Sequence, residues 1–328
     1  MEEVLNLQEI SLTDIEGIKV GHQQDFAAAT GCTVIICEQG ATGGVDVRGG
    51  APGTRETDLL DPVNLIDKIH SVLLTGGSAF GLDAAAGVMK YLEERKIGFN
   101  VGVTNVPIVV SAVLFDLAIG DSAIRPDKMM GYQACINATN KPILEGTIGA
   151  GTGATIGKIL GASSAMKGGL GSYCLQIGDL KVGALVAVNC LGDVIDPETG
   201  KILAGALDPK DHSFLDTEEI MIQNYNNKKP PFNQNTTIGA VVTNASLNKA
   251  QVNKIASMAH NGYARAMRPA HTMADGDTIF SMATGKIEAD VNVVGLLASR
   301  VMEKAILRAI KKASSLSGVK AYKDLHQE

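Results

Sequence analysis

An α+β fold built in packed layers is what this sequence predicts, on two observations. Short apolar runs rich in β-branched residues recur along the chain, and amphipathic helical patterns fall between only some of them. A doubly wound parallel sheet would alternate the two strictly, and this chain does not. With 328 residues, 45% hydrophobic and 20% charged, the chain has the usage of a folded protein rather than a disordered one. It is long enough for one large domain or two ordinary ones.

The first strand signal is CTVIIC, whose period of two sends Cys32 and Cys37 to opposite faces. IHSVLLTGG comes next, and then Leu82, Ala85, Ala86, Met89 and Leu92 recur at helical spacing, with Ser78 as the expected N-cap. IGFNVGVTNVPIVV, GSYCLQI, KVGALVAVNC and IGAVVT read as further strands. A second helical face, Val252 to Ala266, ends before Pro269. A third runs from about Asn292 to Ala313, and its basic end at Arg308, Lys311 and Lys312 suits the helix dipole. Asp208 to Asn235 is polar, carries a proline pair and shows little periodicity, so a long exposed loop is expected there, where chains are readily cut.

Composition excludes several functions. The net charge is −6 and no basic stripe appears, which argues against a nucleic-acid partner. Five cysteines without CxxC spacing read as small core residues of a reducing compartment. The N-terminus has no apolar signal region and no apolar run approaches 18 residues, so a cytoplasmic protein without a membrane span is expected. Neither a metal nor a cofactor is called for.

Two motifs fail when their chemistry is checked. GTGATIGKI has Thr152 at the first glycine place of a phosphate loop and Ile159 where a magnesium-binding hydroxyl belongs. GGSAFG has Phe80 where a nucleophile elbow needs its second glycine. Asp275-Gly-Asp277 reads by itself as an Asx turn, with a pair of metal ligands as the other reading. NQNTTIGAVVTN, at the end of the polar segment, holds more chemistry. Either it starts a strand, or the loop is cut there and a threonine becomes a new N-terminus. Such a residue carries nucleophile and base together, because an α-amine with an ordinary pKa of about 7.7 to 8.0 can take the Oγ proton.

Seven stretches together resemble the DmpA-type aminopeptidase/esterase family, which includes β-peptidyl aminopeptidases and nylon-oligomer hydrolases. They are VDVRGGAPGTRETDLLDP, LLTGGSAFGLDAAAGVM, VPIVVSAVLFDL, the Lys158 region, VGALVAVNCLGDVID, NTTIGAVVTNA and MAHNGYARAMRPAHTMADGDTIF. The resemblance implies a four-layer αββα sandwich and an N-terminal-nucleophile hydrolase of small peptides, amino-acyl amides or related oligomers. It also implies one precursor domain self-cleaved into residues 1–235 and 236–328, and a homotetramer or larger assembly. Carried over, it places the scissile bond between Asn235 and Thr236 and the nucleophile at Thr236, with Thr237 as near rival. Asp275 and Asp277 match the acidic pair of the nylon-oligomer hydrolases, Asp275 to orient Thr236 and relay its proton, Asp277 to fix Asp275. Lys158 and Asn189 match positions lining the reacting centre, the first to depress the Thr236 amine and the second to donate to an oxyanion. Phe115 falls where the nylon hydrolases are expected to carry Tyr, and the departure removes a hydroxyl donor from the substrate pocket. Two other readings of the same fold are an uncleaved binding or scaffold protein and an acyltransferase.

Overall fold

The structure, a computed structural model, describes residues 6–226 and 235–326. Fourteen elements frame it. They are β1 (Gln8–Ile10), β2 (Ile18–Asp25), β3 (Thr30–Val47), β4 (Thr54–Arg55), β5 (Lys68–Thr75), α1 (Ala84–Glu93), β6 (Val109–Val113) and α2 (Lys128–Ile136). After them come β7 (Gly169–Ile177), β8 (Leu180–Val188), β9 (Ile238–Ala245), α3 (Lys249–Ala266), β10 (Thr278–Ile287) and α4 (Val291–Lys312).

Among the described residues the ten strands form one hydrogen-bonded network, ordered β1-β7-β8-β9-β10-β3-β5-β6-β4, with β2 also on β3. Strand β3 makes this one network serve two layers. Its first half pairs with β2 and β5, its second half with β10, and the register slips between Ile36 and Ala41. An irregularity of that kind bends a strand and lets it change layers.

Alternation along the strands shows the layering. In β9, Ile238, Ala240 and Val242 enter a core shared with Ile35, Val72 and Val110 of the other layer, whereas Val241 and Ala245 enter a core with α3 and α4. Cys32, Val34 and Ile36 of β3 face α1 and α2 instead. Three apolar cores therefore separate four layers, helices–sheet–sheet–helices, which is the αββα sandwich expected. Cys32 and Cys37 do lie in different cores, and all five cysteines are buried and free. Helix α4 buries Val294, Leu297, Val301, Ile306 and Ile310 along one stripe; truncating one such residue to Ala costs about 2–5 kcal/mol.

Three local expectations are corrected. IGFNVGVTNVPIVV is not one strand: Phe99–Asn100 pairs back on Asn105–Val106, and only then does β6 begin. Gly102, at φ +90, makes the turn between them, and Pro107 cannot donate to a ladder. Ser78 does not cap a helix; Gly77 occupies the cap position of a 3-10 turn over Ser78–Asp83, and Ser78 itself has φ +53. The polar segment after Asp208 is not all loop, because Asp216 accepts from the Glu219 N–H and caps a helix over Thr217–Gln223. The rest of that expected loop, residues 227–234, lies outside the described residues.

Candidate active site

Strands β9 and β10 are parallel, with Ile238 opposite Thr278, and that register of 40 residues organises everything just before them. It lays Thr237 beside Asp277, Thr236 beside Gly276, and Asn235 beside Asp275, where an isolated parallel bridge continues the ladder. Five of the sequence-predicted residues thus meet at one strand end. The Asn235 N–H donates to the Ala274 carbonyl at 2.9 Å, and Gly276 N–H donates to the Asn235 carbonyl at 2.9 Å. Thr236 Oγ lies against that same Asn235 carbonyl and accepts from Gly276 N–H at 3.2 Å. Position 276 has no room for a side chain, since a Cβ there would stand 2.7 Å from Thr236 Oγ and 2.8 Å from the Ala51 carbonyl.

Lys158 and Asn189 join from the other side. The Thr236 N–H donates to the Asn189 carbonyl at 3.0 Å, and Lys158 Nζ donates to the same oxygen at 2.9 Å. Lys158 also holds Asn189 Oδ1 at 2.9 Å and the Thr155 carbonyl at 2.7 Å. Burial depresses its ammonium to about 7. The Asn189 side-chain amide, expected to serve an oxyanion, donates here to the Phe115 carbonyl at 3.0 Å. Its main-chain oxygen is what touches Thr236.

The two carboxylates are held but do not touch the Thr236 hydroxyl. Asp275 Oδ2 accepts from the Thr272 N–H at 2.8 Å and the Thr272 hydroxyl at 2.6 Å, while its Oδ1 is buried with no partner among the described residues. Burial first, and then the charge of Asp277, raises the Asp275 pKa. Asp277 Oδ1 accepts from Thr237 N–H at 2.8 Å. The Thr237 hydroxyl turns away, towards Met267 Sδ at 3.5 Å.

Beside Thr236 opens a cavity of about 190 Å³ bordered by Pro52, Ser78, Val113, Leu114 and Phe115. Its wall is pinned by Asp116, which takes Gly77 N–H at 2.7 Å and the Thr30 hydroxyl at 2.7 Å; burial pushes this carboxyl up to about 6. Among the described residues no group of three or more His, Cys, Asp or Glu side chains is placed to hold a metal.

A threonine hydroxyl at a strand end beside a carboxylate pair is the geometry of this site, and nearly the whole chain matches a known family: the profile of Peptidase family S58 covers residues 11–323. The chain belongs to peptidase family S58. This is the DmpA-type family that the motifs resemble, so the protein is a hydrolase of peptide or amide bonds. S58 relatives include an uncharacterized aminopeptidase of Mycobacterium leprae, 42% identical over 95% of this chain and 93% of its own length. Another is a 6-aminohexanoate-oligomer endohydrolase of Kocuria sp., 32% identical over 91% of this chain and 85% of its own length. In fold, the S58 chain superposes on the L-aminopeptidase D-Ala-esterase/amidase of Ochrobactrum anthropi, described as a new variant of the Ntn-hydrolase fold. The TM-score is 0.73 at 19% identity, covering 98% of this chain and 95% of that one. Among the described residues no helix is long and apolar enough to cross a membrane.

Sequence reasoning missed Gly276, Thr272, Asp116 and His271. Gly276 could have been singled out as the glycine between two acids, but only the strand register shows that it faces Thr236.

Proposed function

We propose that this S58 hydrolase is made as a precursor that severs its own Asn235–Thr236 bond, giving chains 1–235 and 236–328, and that the freed Thr236 is the nucleophile for small peptide, amino-acyl amide or amide-oligomer substrates. One observation carries the reading: the Thr236 hydroxyl lies against the Asn235 carbonyl, whose oxygen already receives the Gly276 N–H. In the first step Thr236 Oγ attacks the Asn235 carbonyl carbon and gives up its proton. The Asn235 C–N bond breaks, the Thr236 nitrogen takes a proton, and an ester joins Asn235 to Oγ. Water then hydrolyses the ester, leaving the Asn235 carboxylate and a free Thr236. The oxyanion donor for this step is Gly276 N–H rather than the Asn189 amide, a contribution typically worth about 2.7–4 kcal/mol.

In the cleaved enzyme the new amine keeps its hold on the Asn189 carbonyl, next to Lys158. A neighbouring ammonium disfavours a second charge, so Lys158 keeps the amine neutral enough to take the Oγ proton near neutral pH. Asp275 Oδ1, buried and without a partner among the described residues, is the acceptor for the added donors of the amine. The same Oγ then attacks the substrate carbonyl, and water resolves the acyl-enzyme. Phe115, on the cavity wall, packs against the acyl group where a tyrosine would have donated. We further assign the protein to the cytoplasm, a reducing compartment that suits five free cysteines, and, by the resemblance, to a homotetramer or larger assembly.

Intact-mass measurement tests the proposal. The parent should yield two chains, the smaller beginning at Thr236, whereas Thr236→Ala should stay whole and lose hydrolysis of amino-acyl anilides and 6-aminohexanoate oligomers. A new terminus at Thr237, or cleavage of Thr236→Ala at the parental rate, would overturn it.

A further inference from the structure

We infer that His271 is a positioning residue that holds Asp277 against the peptide after the nucleophile. Asp277 Oδ2 accepts twice from this one residue, from its main-chain N–H at 3.0 Å and from ring Nδ1 at 2.9 Å. The other oxygen of the same carboxylate takes the Thr237 N–H at 2.8 Å. At the far end of Thr237, the Tyr263 hydroxyl donates to its carbonyl at 3.2 Å, and the Tyr263 ring stacks on His271 at 5.9 Å and 23°. The Thr278 N–H holds the same carbonyl at 3.2 Å, but both side chains that bond the Thr237 main chain lean on one imidazole. Any slack in Thr237 moves Thr236, its chain neighbour.

The backbone of His271 is bent to this purpose. It adopts φ +60, a region that histidine enters more readily than most residues but at an energetic cost. That conformation lets main chain and ring converge on one oxygen. Nothing else orients the ring by hydrogen bonding, because Nε2 is buried with no partner among the described residues. His260 packs edge-on at 4.8 Å, but its Nε2 is turned to the Asp46 carbonyl at 3.0 Å and its Nδ1 is likewise without a partner among the described residues. Packing shapes this corner; the bond from His271 to Asp277 aims it.

The experiment separates donor from filler. His271→Phe keeps a ring and loses the donor, whereas His271→Asn keeps a short donor, loses the ring and tolerates the backbone angle. The inference rests on the self-cleavage reading for its rate measurement only. Precursor cleavage in His271→Phe should be about tenfold slower than in His271→Asn, the loss of one hydrogen bond to a charged group. In an uncleaved Thr236→Ala background, the Thr237 amide should exchange with solvent about tenfold faster with Phe at 271 than with Asn, for the same reason. In the parent, nitrogen-labelled histidine spectra should show the proton on Nδ1 of His271. Phe matching or beating Asn in both measurements, a folded Phe variant beside an unfolded Asn variant, or an Nδ1 without a proton would each overturn the inference. A parent that never cleaves would instead sink the self-cleavage reading, leaving amide exchange and the spectra to decide on His271.

Discussion

Two pairs of parallel strands reach the candidate site from opposite ends. Strands β5 and β6 arrive by their carboxyl ends and pass directly into Gly76–Ser78 and Leu114–Asp116, of which Ser78, Leu114 and Phe115 border the cavity. Strands β9 and β10 start from it, and the residues just before them are Asn235, Thr236 and Thr237 on one side and Asp275, Gly276 and Asp277 on the other. Each approach is tied by an aspartate, Asp116 to Gly77 in the first and Asp277 to Thr237 in the second. The first approach offers apolar side chains and main chain, the second hydroxyls, carboxylates and an aimed N–H. Under the proposed function, a single strand network divides substrate shape from bond-breaking between its two parallel pairs.

The sharpest way to break that division is Gly276→Ala on the chemical side. The added Cβ collides with Thr236 Oγ, and a displacement of about 1 Å lowers such reactions by about 10². Intact mass over time should show self-cleavage slowed at least that much, with substrate hydrolysis falling in step. Asp116→Asn tests the wall. It weakens the tie on Gly77, so hydrolysis should fall about tenfold, mainly through KM, while the precursor still cleaves at its parental rate. Steady-state kinetics beside a cleavage time course would show it, and a wall variant that stops self-cleavage would erase the distinction.

The smallest expected effect concerns stability. Lys167 is fully buried, with Nζ donating to the Ala154 carbonyl at 2.6 Å, and burial depresses its pKa from 10.5 to about 7. Between those values the unfolded chain binds a proton that the folded chain does not, so folding stability rises with pH through that window. Lys167→Met should flatten the rise in melting temperature from pH 7 to about 8.5, below the range where unfolded cysteines titrate and the five buried thiols oppose the trend, by a few degrees, leaving the part contributed by Lys158.

What could be read from the sequence divides along the same line. Helices α1, α3 and α4 and most long strands are legible because each buries one face, and burial writes a period into the chain. The αββα stacking comes from the resemblance, since no period says which faces meet. Thr236 is visible as a residue type at a loop end, but its alignment over Gly276 depends on a register of 40 residues that leaves no local trace. Asp275 and Asp277 read locally as an Asx turn, whereas the turn that presents them lies just before, over Thr272–Asp275, with the Asp275 carboxylate bonded back to Thr272. His271 escapes because ligand-spacing rules look for partners one helical turn apart, whereas its contact with Asp277 is made by a left-handed backbone. Asp216 as a cap is readable and is hidden only by the polarity around it.

Strand β3 bears on the fate of the protein once the proposed cut is made. Strands β9 and β10 belong to the stretch after residue 235, yet β8 flanks one and β3 flanks the other, both from the stretch before it. The two products would be woven like alternate threads of one cloth, inseparable without dissolving the whole fabric. Denaturing electrophoresis of the processed protein should therefore resolve two bands where gel filtration under native conditions finds one particle.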